Sequence, residues 1–411
     1  MSSSSASSSD VSLRRPLSEG RLIVVLGLLA AFGPLAIDMY LPAFSAIAVE
    51  LHTSTGAVGW TLAVYFVGIA VSQVLIGPVT DRVGRRRPLH LGLAVFGLGS
   101  LAAALAPSIE LLVAARALQA VGGAACAVTS RAVVRDLYRG AEAARVNSRL
   151  VLVMGVAPVV APLAGGALLA LAGWRSIFLV LATLGAGALA AVRAVLPETA
   201  PPRADGARFA VLPLVRGLLL DRELMAFAIV AATSSAAMFA YITAAPLVFI
   251  EHHHVAPQDF GWFFGSNAAA YVAASQLNAR LVRRTAPLTL LCGGVAGLFG
   301  AALLLVLGAV TDWGLWPTAA CCCAFLACLG LVMPNAVALA LEGQGQRAGG
   351  AAAWLGALQF GIAGLASAAV SAHHARPALA MATAMLVLAT VAGLVLAAVV
   401  TVAARPGKPV A

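Results

Sequence analysis

The sequence predicts an all-α integral membrane protein in which twelve membrane-spanning helices form two pseudo-symmetric six-helix bundles. The first observation is composition: 61% of the 411 residues are hydrophobic and 10% are charged, whereas soluble globular domains carry about 25% charged residues. The second is that the apolar residues lie in runs of membrane-spanning length, and the third is a weak internal repeat. A soluble fold has no interior large enough to bury this much apolar surface.

Each predicted helix rests on an uninterrupted apolar run. A helix rises about 1.5 Å per residue, so about 20 residues cross a hydrocarbon core of ~30 Å. Inside hydrocarbon, backbone N–H and C=O groups must pair within their own segment, so such runs predict helices rather than barrel strands. The approximate cores are residues 22–41, 58–78, 88–107, 111–130, 149–172, 175–196, 224–248, 260–279, 288–310, 316–340, 349–371 and 378–403.

The placement of positive charge predicts the topology. The net charge is +10, with 26 Lys and Arg residues. With a cytoplasmic N-terminus, all but three of these lie on the cytoplasmic side; Arg175 and Arg376 fall in outer loops, and Arg116 lies inside the fourth helix. This asymmetry follows the positive-inside rule and predicts that both termini are cytoplasmic. The basic charge therefore indicates topology in a lipid bilayer, and no nucleic-acid partner is expected.

The cysteines and histidines do not predict a metal site. The six cysteines lie in apolar runs with neither zinc-site nor disulfide-framework spacing, so we interpret them as packing residues. Glu251 with His252–His254 lies in a predicted outer loop, where a solvated loop is the preferred interpretation over a metal site. The cysteines are Cys126, Cys292, Cys321, Cys322, Cys323 and Cys328.

The longest polar stretch divides the chain into two halves. A weak repeat supports the division, because DRVGRRRPL at Asp81–Leu89 follows the second helix and ARLVRRTAPL at Ala279–Leu288 follows the eighth. Many secondary transporters are built from two such halves, with the substrate cavity between them. The predicted units are a disordered cytoplasmic tail at 1–20, six-helix bundles at 21–196 and 223–404, a cytoplasmic central loop at 197–222 and a cytoplasmic tail at 405–411.

The short loops leave no room for a soluble catalytic domain, and the chain has no Walker A motif to drive transport with ATP. We therefore expect no enzyme activity and no cofactor, with an ion gradient as the energy source.

Two charged residues are the candidates for chemistry inside the membrane. An ionised side chain at the bilayer centre costs about 2.5–3.5 kcal/mol on insertion scales, so such residues are usually functional. Only Asp38 among the acidic residues and Arg116 among the basic ones lie well within a predicted helix. Both lie roughly 10 Å below the outer surface when counted along their helices. They could line one cavity, with Asp38 alternately binding a proton and a cationic or polar substrate.

A bland interpretation of these two residues stays open. Asp38 could be an interfacial residue near a helix end, or could form a static ion pair with Arg116. The functional interpretation has a physical basis, because burial raises the pKa of a carboxyl group and a nearby guanidinium lowers it. The pKa of a carboxyl group in a cavity that opens and closes can thus be shifted across physiological pH.

Two glycine-containing segments stand out in the first half. The loop GPVTDRVGRRRPL at Gly77–Leu89 joins helices two and three, and its glycines permit close helix approach and a tight turn. Asp81 in this loop is suited to a helix N-terminus. Helix five contains GVAPVVAPLAGG, whose glycines and prolines share one face that another helix can approach closely. Generic tight packing explains that face equally well.

These segments resemble motifs of the major facilitator superfamily, in particular the twelve-helix drug:proton antiporters of the bicyclomycin and chloramphenicol resistance (Bcr/CflA) subfamily. The loop is similar to GxxxDRxGRR, and RALQAVGGA in helix four to RxxQGxG, with Ala120 and Val121 before Gly122 where the first family glycine is expected. Helix five is similar to GxxxGPxxGG, with Ala161 in place of one glycine. Subfamily-like segments are IDMYLPAF at Ile37–Phe44, FAYITAAPLVF at Phe239–Phe249, MPNAVALAL at Met333–Leu341 and GALQF at Gly356–Phe360.

The resemblance implies roles for individual residues. Asp38 and Arg116 would couple protons within the cavity, and Asp81 with Arg85 would latch a cytoplasmic gate. The gate motif comprises Gly77, Asp81, Arg82, Gly84, Arg85 and Arg86. The helix-five hinge motif comprises Gly155, Pro158, Pro162, Gly165 and Gly166. Polar residues that could touch substrate are Tyr40, Gln119, Tyr241, Asn267, Asn335 and Gln359, although packing or helix-linking roles explain them as well.

Together these features predict a bacterial inner-membrane multidrug antiporter with the major facilitator fold. It would exchange inward-moving protons for small, fairly apolar drugs or toxins by alternating access, and would act as a monomer. Two alternatives remain: a dedicated transporter of a single metabolite, and a membrane sensor or scaffold that transports nothing. The sequence does not specify the substrate or the proton stoichiometry.

Overall fold

The computed structural model describes residues 19–138, 140–199 and 211–403. Among these residues there are twelve long helices and no strand. The helices are α1 Glu19–Asp38, α2 Thr55–Val83, α3 Arg86–Ala104, α4 Ile109–Leu137, α5 Gly140–Ala172, α6 Trp174–Val195, α7 Arg222–Ala245, α8 Phe260–Leu281, α9 Pro287–Thr311, α10 Leu315–Leu341, α11 Ala348–Ala372 and α12 Pro377–Ala403. This architecture confirms the predicted fold class.

The first span is a broken helix. After α1 ends at Asp38, a 3₁₀ turn at Leu41–Ala43 and a short helix at Phe44–Glu50 continue it. Pro42 at the start of that turn lacks a backbone N–H, which prevents an unbroken helical ladder. The apolar span therefore runs over Leu22–Glu50, beyond the predicted core. Asp38 is the last residue of α1 and lies at the break within this span.

Eleven of the twelve long helices are long and apolar enough to cross a membrane. The exception among the described helices is α8, which has 22 residues and is long enough. It falls short in hydropathy because polar side chains are frequent from Ser266 onward. They are Ser266, Asn267, Tyr271, Ser275, Gln276 and Asn278.

The packing of the helices repeats after six. In the N-terminal half, α1–α6, the contacts are α3 with α4, α2 with α4, α3 with α6, and α1 with α4, α5 and α6. In the C-terminal half, α7–α12, each has a counterpart six helices later: α9 with α10, α8 with α10, α9 with α12, and α7 with α10, α11 and α12. The weak sequence repeat therefore corresponds to a structural repeat.

The halves meet through two symmetry-related helix pairs, α2 with α11 and α5 with α8. Glycines allow the close approach in both pairs. A Cβ atom added at Gly364 of α11 would lie 2.5 Å from Val67 of α2, and one at Gly261 of α8 would lie 2.5 Å from Leu163 of α5. Because each glycine leaves room for a side chain of the facing helix, the helices of both pairs pack closely and hold the two halves together.

The helices extend beyond their predicted cores at one face of the bundle. There α2 reaches Val83, α4 reaches Leu137 and α5 begins at Gly140. We call this the terminal face, because α1 begins and α12 ends on it; the opposite face is the distal face. The predicted central loop contains a helix, Val211–Leu220, which the apolar sequence VLPLVRGLLL explains. Of the predicted tail at 1–20, residues 19 and 20 belong to α1 and residues 1–18 lie outside the described residues, as do residues 200–210 of the predicted loop and the predicted tail at 405–411.

Replacing Gly122 with Ala should destabilise the protein. An added Cβ would collide with the backbone of Phe96 and Gly92 on α3, and overpacking typically costs about 1–3 kcal/mol. We expect a lower apparent unfolding temperature in detergent, measured by intrinsic fluorescence.

The matched control is Gly187→Ala, because the added Cβ there meets nothing within 4 Å. That variant should be unchanged or slightly more stable, since Ala is the better helix former. Equal melting temperatures for the two variants would contradict the close α3–α4 contact.

Candidate functional site

The candidate site centres on Arg116, a fully buried arginine of α4. Its guanidinium lies between two tyrosine rings, 4.5 Å from the centroid of Tyr40 and 4.2 Å from that of Tyr65. A cation over an aromatic face is attracted by the ring quadrupole, and this attraction grows when water is excluded. The two rings thus hold the guanidinium in a fixed plane inside the N-terminal half.

A chain of hydrogen bonds fixes Arg116 from the α3 side. Its Nη1 donates to Oε1 of Gln119, and Gln119 Nε2 donates to Ser100 Oγ at 2.7 Å. Ser100 in turn donates to the carbonyl of Phe96 at 2.7 Å. The chain forms because α3 and α4 are very close: a Cβ at Gly99 would lie 2.6 Å from the backbone nitrogen of Gln119. Gln119 is therefore a positioning group for Arg116.

Asp38 lies at the break in the first span and is 3% exposed. It is two residues before Tyr40, whose hydroxyl is bonded to Thr61 Oγ1 of α2 at 2.9 Å. The 3₁₀ turn at Leu41–Ala43, which follows Asp38, contacts residues Pro246–His252 of the C-terminal half. Asp38 is thus shielded from water and lies near groups from both halves.

Several buried polar atoms of this cluster have no hydrogen-bond partner among the described residues. They are Asp38 Oδ1, Arg116 Nε and Nη2, and the Tyr65 hydroxyl. No ion pair joins Asp38 to Arg116 within the described chain. A buried unsatisfied polar group costs about 1–3 kcal/mol, and more when it is charged. Native folds leave few buried polar atoms without a partner, so these atoms mark a place where a proton, a water molecule or a polar ligand group can bind.

The predicted polar residues of the C-terminal half form two separate groups. Asn267 Nδ2 of α8 donates to the Tyr241 hydroxyl of α7 at 2.7 Å. Asn335 of α10 instead donates to Asn278 Oδ1 of α8 at 2.7 Å, which links two helices. Gln359 of α11 is only partly buried. The structure therefore pairs Tyr241 with Asn267 and Asn335 with Asn278, and each pair links two helices of the C-terminal half.

At the terminal face, the loop between α2 and α3 is tied to α4 and to the end of α6. Arg85 Nε donates to Asp136 Oδ2 of α4 at 2.8 Å in a nearly buried ion pair. The backbone nitrogens of Arg85 and Arg86 donate to the carboxylate of Glu198, at 2.7 and 3.1 Å. A carboxylate at the N-terminus of α3 is electrostatically favourable. The loop thus joins three helices of one half.

The other members of the loop motif have distinct surroundings. Gly84 has a φ of +90°, and a Cβ there would lie 2.5 Å from Glu198 Oε2, so only glycine suits this turn. Arg82 is exposed and Gly77 partly buried. The side chain of Asp81 lies outside the described residues, so the expected Asp81–Arg85 latch remains a prediction.

Sequence reasoning missed Asp136 and Glu198, although both are acidic residues near arginine-rich helix ends at the terminal face. An acidic residue among several arginines could have been predicted to form an ion pair. It also missed Tyr65, Thr61 and Ser100, which no motif or unusual burial pattern identifies in an apolar sequence.

The face predicted on helix five is divided between two partners. Gly165 packs directly on the Met39 carbonyl at the break after α1, within the same half. A Cβ at Gly155 would lie 3.1 Å from Val272 of α8, and one at Gly166 would lie 3.2 Å from Gln258 just before it. Pro162 is buried and Pro158 partly buried. The small residues of α5 thus connect the broken span to the opposite half.

Glu251 at the distal face has partners that the sequence did not suggest. Its two carboxylate oxygens accept hydrogen bonds from Ser45 and Thr55, both at 3.1 Å. His252 lies 3.6 Å from Asp312 instead. Among the described residues no group of histidine, cysteine or acidic side chains could hold a metal ion.

The chain is similar to known membrane transporters over most of its length. Residues 26–368 match the family model described as Major Facilitator Superfamily. The chain is 35% identical to the MFS-type transporter YdgK of Bacillus subtilis over 88% of this chain and 92% of that protein. It is 33% identical to a bicyclomycin resistance protein homolog of Haemophilus influenzae over 85% and 88% of the two chains. A chloramphenicol resistance protein of Pseudomonas aeruginosa is 32% identical over 72% and 68%.

The fold is also similar to a solved structure. A bacterial homologue of the human lysosomal transporter Spinster, in an inward-facing and occupied conformation, matches with a TM-score of 0.72 and 17% identity. The match covers 93% of this chain and 96% of that one.

Replacing Asp136 with Ala should destabilise the terminal face. The change removes the carboxylate that the buried Arg85 guanidinium contacts, and breaking a buried ion pair costs roughly 3–5 kcal/mol. We expect a clear loss of thermal stability in detergent. Arg87→Ala is the control, since Arg87 is exposed in the same loop region. An Asp136 variant as stable as the Arg87 variant would show that the ion pair is dispensable.

Proposed function

The chain belongs to the major facilitator superfamily, and on that premise we propose that it exports small, fairly apolar drugs or toxins in exchange for protons. Transporters of this superfamily move small molecules across membranes, and the chain is a multi-pass membrane protein. The names of its bicyclomycin and chloramphenicol resistance relatives support the proposed substrate class.

One observation carries the proposal: Asp38 and Arg116 are buried together with atoms that have no partner among the described residues. An acceptor oxygen on Asp38 suits a proton or a cationic group, and free N–H groups on Arg116 suit a polar group of the substrate. Because both residues are buried, a proton or a substrate can reach them only when the two halves move apart. Exchange of proton and substrate at this cluster is the simplest use of these atoms.

Alternating access would move residues 21–196 against 223–404. The α2–α11 and α5–α8 contacts support this division, because they join the halves through symmetry-related pairs of helices. We assign the glycines and prolines of α5, from Gly155 to Gly166, as the surface on which the halves pivot. The loop from Gly77 to Arg86, with Asp136 and Glu198, would be the cytoplasmic gate.

We place the terminal face in the cytoplasm, because the arginine-rich loops lie on it. The distal face is then the outer face of a bacterial inner membrane. The proposed protein works as a monomer, without an enzymatic reaction or a cofactor, and uses the proton gradient as its energy source.

Replacing Asp38 with Asn should abolish proton coupling, because a carboxamide neither gains nor loses a proton near neutral pH. In proteoliposomes with a trapped pH dye, addition of a transported compound should drive proton movement with the wild type and not with the variant. In cells, the wild type should confer resistance to several unrelated toxins, and Asp38→Asn should remove that resistance.

The control is Asp259→Asn, an exposed acidic residue just before α8. It should behave as the wild type does. Proton movement that is undiminished in Asp38→Asn would refute the coupling role. Resistance to no toxin in the panel, with counterflow of one labelled metabolite, would favour a dedicated transporter, and the absence of any counterflow would favour a sensor.

A further inference from the structure

Glu251 forms a clasp between the two halves at the distal face. Its carboxylate ends the apolar span of α7, within a π-helical turn at Pro246–His252. One oxygen accepts from Ser45 Oγ in the short helix that follows α1, and the other from Thr55 Oγ1 in the first turn of α2. Glu251, a residue of the C-terminal half, thus holds two segments of the N-terminal half.

We propose that Glu251 is the latch residue of the outer gate, which must be released before the halves separate on that side. An ionised carboxylate accepts only, so it fully uses two hydroxyl donors, and bonds to a charged acceptor are stronger than neutral ones. The inference rests on the proposed alternating access, in which the distal face is the outer face. It assigns a gating role outside the Asp38–Arg116 cluster.

The position of Ser45 connects this latch to the cluster. The short helix Phe44–Glu50 that carries Ser45 follows the break containing Asp38 and Tyr40. Movement of the break therefore moves one of the two donors. The same face is closed directly beside the clasp, where Gly56 lies against the ring of His374 and the Ser371 carbonyl of α11. Loss of the Glu251 hydrogen bonds would thus weaken the neighbouring contact between α2 and α11 as well as the link to the short helix.

The test measures the opening of the distal face directly. Spin labels are attached at Leu105→Cys and Val310→Cys, two residues beside the distal ends of α3 and α9 that are each 68% exposed. The six native cysteines are replaced by Ser, and double electron–electron resonance distances are recorded in lipid nanodiscs. Glu251→Ala should increase the long-distance population at least about tenfold, as expected for the loss of hydrogen bonds to a charged group. Ser45→Ala combined with Thr55→Val should do the same with Glu251 intact.

Glu50→Ala is the matched control. Glu50 is also a distal carboxylate, but it accepts from Trp174 at 2.6 Å and from Arg175, both in its own half. This variant should keep the wild-type distances. Unchanged distances in both clasp variants, or an equal shift in Glu50→Ala, would overturn the latch. The distances do not require transport, so a wild type that fails in the toxin and counterflow assays would overturn the proposed function separately.

Discussion

The burial of one guanidinium inside an apolar helical body is the constraint on which the site depends. Arg116 is fully buried, and a charge at such a position is stable only when its surroundings compensate for the lost water. Two tyrosine faces and one glutamine provide part of that compensation. They arrive from the broken first span, from α2 and from α4, so the position of the cation determines how these three elements pack.

Close helix contact makes that arrangement possible. The Arg116–Gln119–Ser100 chain requires α3 and α4 to approach without intervening side chains, which the glycines between them allow. Glycines also lie at the contacts that join the halves, α2 with α11 and α5 with α8. In lipid, helices gain little from hiding apolar surface, so small residues and short hydrogen bonds carry much of the association.

Composition and charge were sufficient to predict the fold class, because membrane thickness and the backbone hydrogen-bond requirement leave few choices. Asp38 and Arg116 could be identified because a charge in an apolar run is conspicuous. Their partners could not, since Tyr65 and Thr61 become neighbours of Arg116 and Tyr40 only through packing between helices. The partners of Glu251 could not be predicted either, because nothing in the sequence links residue 251 to a serine and a threonine about 200 positions earlier. Asp136 was accessible in principle, as an acid among arginines.

The polarity of α8 has a consequence for how the protein is made. A segment with amides and hydroxyls along its length gains less from entering lipid than its eleven companions do. Its Asn278 is bonded to α10, which is synthesised later, while its glycine-rich side rests on α5, which is synthesised earlier. We therefore expect that α8 enters the membrane with the help of helices already in place, so that assembly of the second half depends on the first.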